Sequence, residues 1–107
     1  MSDHIEKQFN RRMLGIYERA KAEADYNATY FLRMLSEEGG LETARRLVSS
    51  SQPSDGFTQL YLKGRLDLTV EHLVLEDDFR GLFAAGLLEM AADRLRQYGG
   101  GSLSGRE

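Results

Sequence analysis

Cysteine is absent from the chain, which excludes disulfide staples, thiol nucleophiles and thiolate metal sites. Two histidines, His4 and His72, are too few for a histidine-built metal cage. Tryptophan is missing, and a single proline argues against a proline-rich linker. No apolar run approaches the roughly 18 residues that span a bilayer, so no membrane partner is expected. An excess of one charge is also lacking. Residues 1–53 hold eight basic and eight acidic side chains, and residues 54–107 hold six and nine. Neither half carries the positive excess that drives non-specific phosphate binding. Met1 to Glu6 lack the cationic and then apolar order of a signal peptide, so a cytoplasmic location is expected. Asn27-Ala28-Thr29 is then a helix start and not a glycan site.

What is present is ordinary globular material. An apolar fraction of 41% in 107 residues supports one core and therefore one domain. Ile5, Phe9, Met13, Ile16, Tyr17, Ala20 and Ala24 step by three and four, predicting a long amphipathic helix from about Asp3 to Ala24. Asp3 and Glu6 have capping-box spacing. Leu14 falls off the stripe, and Gly15 in mid-helix points to a close helix contact. Asn27 suits the N-cap of a second helix over residues 28–38. Gly39-Gly40 supplies its stop, with one glycine in the left-handed region. A third helix is expected over residues 41–48, with Glu42 and Arg46 as an i,i+4 pair.

Residues 49–56 (S-S-S-Q-P-S-D-G) form the clearest loop, with Asp55 as the candidate cap of a short helix, 57–63, that Gly64 ends. The run R-L-D-L-T-V-E-H-L-V-L has two readings. As a strand, Leu66, Leu68, Val70, His72 and Val74 share a face. As a helix capped by Asp67, Val70, Leu73 and Val74 face one way and Leu68 and Leu75 the other. The helix is preferred, because a lone strand has no partner in this sequence. A last helix spans about 85–98, with Leu87, Leu88, Ala91, Leu95 and Tyr98 inward. The expected fold is all-α: a single domain, 1–98, of five to seven short helices after one long helix. Residues 99–107 read as a disordered Gly/Ser-rich tail.

Few residues suggest chemistry. His72 beside Glu71 is the one candidate for a general base oriented by a carboxylate. The sequence offers it no serine elbow, cysteine or glycine-rich phosphate loop. The more economical reading is a part-buried histidine bonded to a backbone carbonyl. Glu76-Asp77-Asp78 lacks the alternating spacing of a calcium loop, so no metal or other cofactor is expected. Arg11-Arg12, Arg45-Arg46, Lys63 and Arg65 are the basic spots, each with acids nearby. A helix-turn-helix centred on Gly64 would present Asp67, Glu71 and the acidic run to DNA, which disfavours it.

The segment Q-P-S-D-G-F-T-Q-L-Y-L-K-G-R-L-D-L-T-V-E resembles one found in uncharacterised small helical bacterial proteins. Y-N-A-T-Y-F-L-R-M-L and G-G-L-E-T-A-R-R-L-V upstream resemble the same family, so the likeness covers roughly residues 25–95. It implies a bacterial helical module, often attached to other domains, and no established activity. Together the residues point to a non-enzymatic interaction or adaptor module. Its expected recognition surface is the 49–56 loop with Arg45, Arg46, Asp55, Lys63 and Arg65. The expected partner is a protein, or a second copy engaged through the first helix. Nucleic-acid association through a local basic face is the alternative, and an enzyme using Glu71 and His72 the third reading.

Overall fold

The computed structural model describes residues 2–100 of the chain. Among these residues there are five α-helices and no strand, so the all-α expectation holds, and residues 66–75 form a 3₁₀ turn and a short helix joined at an extended Thr69. The Asp3–Glu6 cap lies outside the described side chains. Residues 101–107 of the expected tail lie outside the described residues.

Helix α1 (Ser2–Glu23) forms where the 3–4 periodicity places it. Phe9, Met13, Ile16 and Ala20 are buried along one face, while Arg11, Arg12, Glu18 and Arg19 are exposed. The apolar stripe is thus covered by the chain's own core. The chain leaves α1 through Asp25, whose φ of 54° lies in the left-handed region. Asparagine and aspartate enter that region more readily than most residues, because their short polar side chains compensate locally.

Helix α2 (Thr29–Ser49) joins the two expected helices into one kinked element. Gly39 sits at the kink with φ 85° and ψ 168°, a conformation open to glycine and strained for any other residue. The break frees backbone donors. One of them, the Gly40 N–H, donates to Asn10 Oδ1 of α1 at 2.7 Å. The N-terminus of α2 differs from expectation. Ala28 occupies the N-cap position without a side-chain bond, and Asn27 Oδ1 instead accepts from the Tyr17 hydroxyl at 2.9 Å. A tertiary donor outcompetes the local cap here. Nor do Glu42 and Arg46 pair as expected: Glu42 meets Arg45, and Arg46 reaches Glu38.

Helix α3 (Asp55–Leu62) is capped by Ser54, not Asp55; the Ser54 hydroxyl accepts from the Phe57 N–H at 3.1 Å. Gly64, at φ 72°, ends it as expected, and the Arg65 N–H closes back onto the Leu60 carbonyl. A 3₁₀ turn (Leu66–Leu68) leads into the short helix α4 (Val70–Val74). Its cap is Thr69, whose hydroxyl accepts from the His72 N–H, while Asp67 turns to Arg65. A second 3₁₀ turn (Arg80–Leu82) precedes α5 (Ala85–Leu95). A π-helical turn then carries the chain through Gly100, two residues past the expected domain end. In that turn Tyr98 meets Phe57 and Tyr61 edge-on, with ring centroids 5.3 and 5.4 Å apart.

The main core joins α1, α2, α4 and α5 around Phe9. Its ring packs edge-on against both Phe79 and Phe83, with centroids 5.3 Å away in each case. A smaller cluster of Ala20, Ala24, Leu60 and Leu68 ties α3 and the first 3₁₀ turn to the end of α1.

Two of the helical glycines, Gly15 and Gly40, behave oppositely. A Cβ at Gly15 would meet nothing within 4 Å, so no close contact requires glycine there. A Cβ at Gly40 would run into Asn10 Oδ1 and come within 3.3 Å of the Phe9 ring. Gly15→Ala should therefore stabilise the fold by up to about 1 kcal/mol through helix propensity. Gly40→Ala should cost about 1–3 kcal/mol through overpacking and loss of the Asn10 bond. Urea unfolding of both variants checks the pair of signs; equal effects would contradict the packing described.

Candidate binding cleft and the buried ion pair behind it

A cleft of about 440 Å³ lies between the C-terminal half of α1, both arms of α2, and the 50–56 loop leading into α3. Its walls are apolar and aromatic, with Ile16, Phe31, Met34, Leu47, Phe57 and Leu60 among them. Tyr17, Tyr26 and Tyr30 add rings with polar tips, and Tyr30 is 68% exposed. A concave apolar body of this size with few polar groups is the ordinary form of a ligand or side-chain binding site.

The loop expected to carry recognition supplies one wall, through Ser50, Gln52, Pro53 and Ser54. Of the five residues expected around it, the structure brings only Arg46 and Asp55 to the cleft. Arg46 Nε lies 3.1 Å from Glu38 Oε1. Asp55 Oδ2 accepts from the Tyr26 hydroxyl at 3.4 Å, and burial together with the Asp55 charge raises the Tyr26 pKa. Arg45 pairs with Glu42 at 3.4 Å, and Lys63 is exposed beyond the end of α3. Arg65 belongs to a different cluster, bonded to Asp67 at 3.0 Å and to Glu23 at 2.8 Å.

Glu71 and His72 diverge. Glu71 is 2% exposed and lines the inner wall of the cleft. Its Oε2 accepts from Arg94 Nη1 at 2.9 Å. His72 is exposed on the other side of α4, in a polar groove with Arg11, Arg12, Arg19, Asp67 and Glu76. The carboxylate that would orient the imidazole is thus turned away from it, and the expected burial of His72 is corrected. The reason is the helical period, which puts adjacent residues about 100° apart around α4. Glu76, from the acidic run, is gripped by both Nη atoms of Arg12, at 3.0 and 2.6 Å.

Arg94 is the residue that sequence reading missed. It is 8% exposed in the middle of the molecule. Besides Glu71, its guanidinium donates to the carbonyls of Leu47, Val48 and Ser50, the last at 2.6 Å. It thereby caps the C-terminal end of α2, whose last carbonyls have no intrahelical donors. The signal was present in the sequence. Arg94 follows Leu87 and Ala91 on the inward stripe of α5, and Glu71 stands between Val70 and Leu73. Two opposite charges at core positions imply a buried pair.

No protein-family model, curated protein or solved structure matches this chain. No helix among the described residues is long and apolar enough to cross a membrane.

Removing one member of the buried pair strands the other. Arg94→Met should lower the unfolding free energy by about 3–5 kcal/mol, because it leaves Glu71 without its counter-charge and the end of α2 without its donor. Denaturant titration measures this, and a loss under about 1 kcal/mol would show that the pair is dispensable.

The pH response separates two carboxylates. Burial raises the Glu71 pKa against the opposing bond from Arg94. Its ionisation therefore works against the fold as pH rises, and its protonation does not drive acid unfolding. Glu23 behaves inversely. Hydrogen bonds from Arg19 and then Arg65 lower its pKa from 4.5 to about 2. Its contribution is present above pH 4.5 and is lost as pH falls toward 2. Thermal melts of the wild type should lose stability across that window, and Glu23→Gln should flatten this part of the profile. An unchanged slope in the variant would remove Glu23 from the account.

Proposed function

We propose that the protein is a non-enzymatic interaction module that holds an apolar side chain of a partner protein in the cleft walled by the 50–56 loop. The observation that carries this reading is the cleft itself: about 440 Å³ with a largely apolar and aromatic wall. Specific recognition commonly rests on one anchor side chain buried in such a pocket within a polar rim. Exposed Tyr30, of a residue type enriched at interfaces, supports the same reading. The partner is a different protein and not a second copy docked through the stripe of α1, since that stripe packs in the chain's own core. Membership of the bacterial helical family, on the segment quoted above, is part of the same proposal.

The pairing of Arg45, Arg46 and Arg65 with carboxylates favours a protein partner over nucleic acid. An enzyme reading loses its oriented base, because the Glu71 carboxylate is engaged by Arg94.

Site-specific photo-crosslinking tests the proposal. A benzophenone side chain at Tyr30 or Gln52 should yield covalent protein adducts in bacterial cells, and one at Glu89, exposed on α5, should not. Equal yields at all three positions, or adducts at Glu89 alone, would place recognition elsewhere. Micromolar, salt-sensitive binding to a DNA or RNA oligonucleotide would revive the nucleic-acid reading.

A further inference from the structure

The charges on the wall of the cleft are not balanced alike. Arg46 lies against Glu38, and Glu71 is held by Arg94. Asp55 is the exception. It stands exposed at the first turn of α3 and makes no ion pair among the described residues. Its contact on the cleft side is the Tyr26 hydroxyl, a neutral donor. The charge of the cleft left without a counter-ion is therefore negative. It lies beside Tyr26, whose ring is able to attract a cation by its face. Both the Tyr17 and Tyr26 hydroxyls are engaged, by Asn27 and Asp55, which restrains these side chains. The chain as a whole is also negative, at −3, with the excess in residues 54–107, the half that contains Asp55. Long-range attraction thus favours a basic partner, and an acidic one meets Asp55 unscreened by any pairing cation.

We propose that the cleft selects partner segments in which an aliphatic or aromatic side chain is accompanied closely by lysine or arginine. The apolar group fills the cleft, and the cation meets the Asp55 carboxylate and the neighbouring face of Tyr26. This rests on the cleft being the recognition site, and it adds the sign of the partner. Asp55 also favours the N-terminal end of α3 through the helix dipole. That role concerns stability alone and has no bearing on which peptides bind.

The test is selection of random dodecapeptides displayed on phage against the full-length wild type and against Asp55→Asn. The wild-type pool should be enriched in an apolar residue within three positions of lysine or arginine. The Asp55→Asn pool should keep the apolar residue and lose the basic preference. A selected basic peptide, resynthesised with a fluorophore, should bind Asp55→Asn about fivefold more weakly, the scale of one exposed ion pair. Its affinity for the wild type should fall as sodium chloride is added, which reads the same charge should the variant fold poorly. An apolar wild-type pool without basic enrichment would overturn this inference and leave the cleft reading standing. A basic preference that survives Asp55→Asn, an acidic preference, or salt-independent binding would also overturn it. A wild type that enriches no peptide would remove both readings together.

Discussion

The fold depends on one guanidinium. Arg94, from α5, binds the Glu71 carboxylate of α4 and three carbonyls at the end of α2. Three helices distant in sequence are thereby locked at one point. Two desolvated charges would cost several kcal/mol apiece if left alone; their attraction and the carbonyl bonds offset part of that cost, and at Glu71 burial still outweighs the pairing. The planar fork reaches those acceptors with the Arg94 face of α5 turned toward α2 and α4, which ties the orientation of α5 to both.

The cleft is a consequence of that clamp. With the C-terminal end of α2 held from below, the chain leaves Ser49 in an extended direction and crosses residues 50–54 before the Ser54 cap starts α3. The loop is thus fixed at both ends by hydrogen bonds, to Arg94 through Ser50 and to Phe57 through Ser54. Helix α2 bends at Gly39, and both of its arms line the cleft together with the loop. Fixed walls favour binding, since little ordering entropy is then lost on association.

Surface arginines follow a different logic from Arg94. Arg12, Arg19, Arg45, Arg46 and Arg65 each lie against a carboxylate within hydrogen-bonding or ion-pair reach. Exposed pairs of this kind contribute little to stability one by one. Their larger effect is on recognition: they neutralise basic spots that would otherwise attract polyanions.

The sequence by itself determined the elements whose causes are local. The buried face of α1 follows from a 3.6-residue period, the kink of α2 from Gly39, and the end of α3 from Gly64, because backbone sterics and apolar spacing act over a few residues. It also placed a loop within residues 49–56; the structure narrows it to 50–54, which became a wall of the cleft. Tertiary structure decided what depends on contacts between distant segments. Asn27 looked like a cap until the Tyr17 hydroxyl took its oxygen. Asp55 and Asp67 looked like caps until Ser54 and Thr69 reached the amides first. Arg45, Lys63 and Arg65 looked like one rim with Arg46, yet Arg45 and Arg65 pair with carboxylates apart from the cleft, and Lys63 stands exposed beyond the end of α3. Glu71 and Arg94 read as two ordinary charges 23 positions apart. Only packing α4 against α5 buries them together, and burial is what makes each charge depend on the other for a partner.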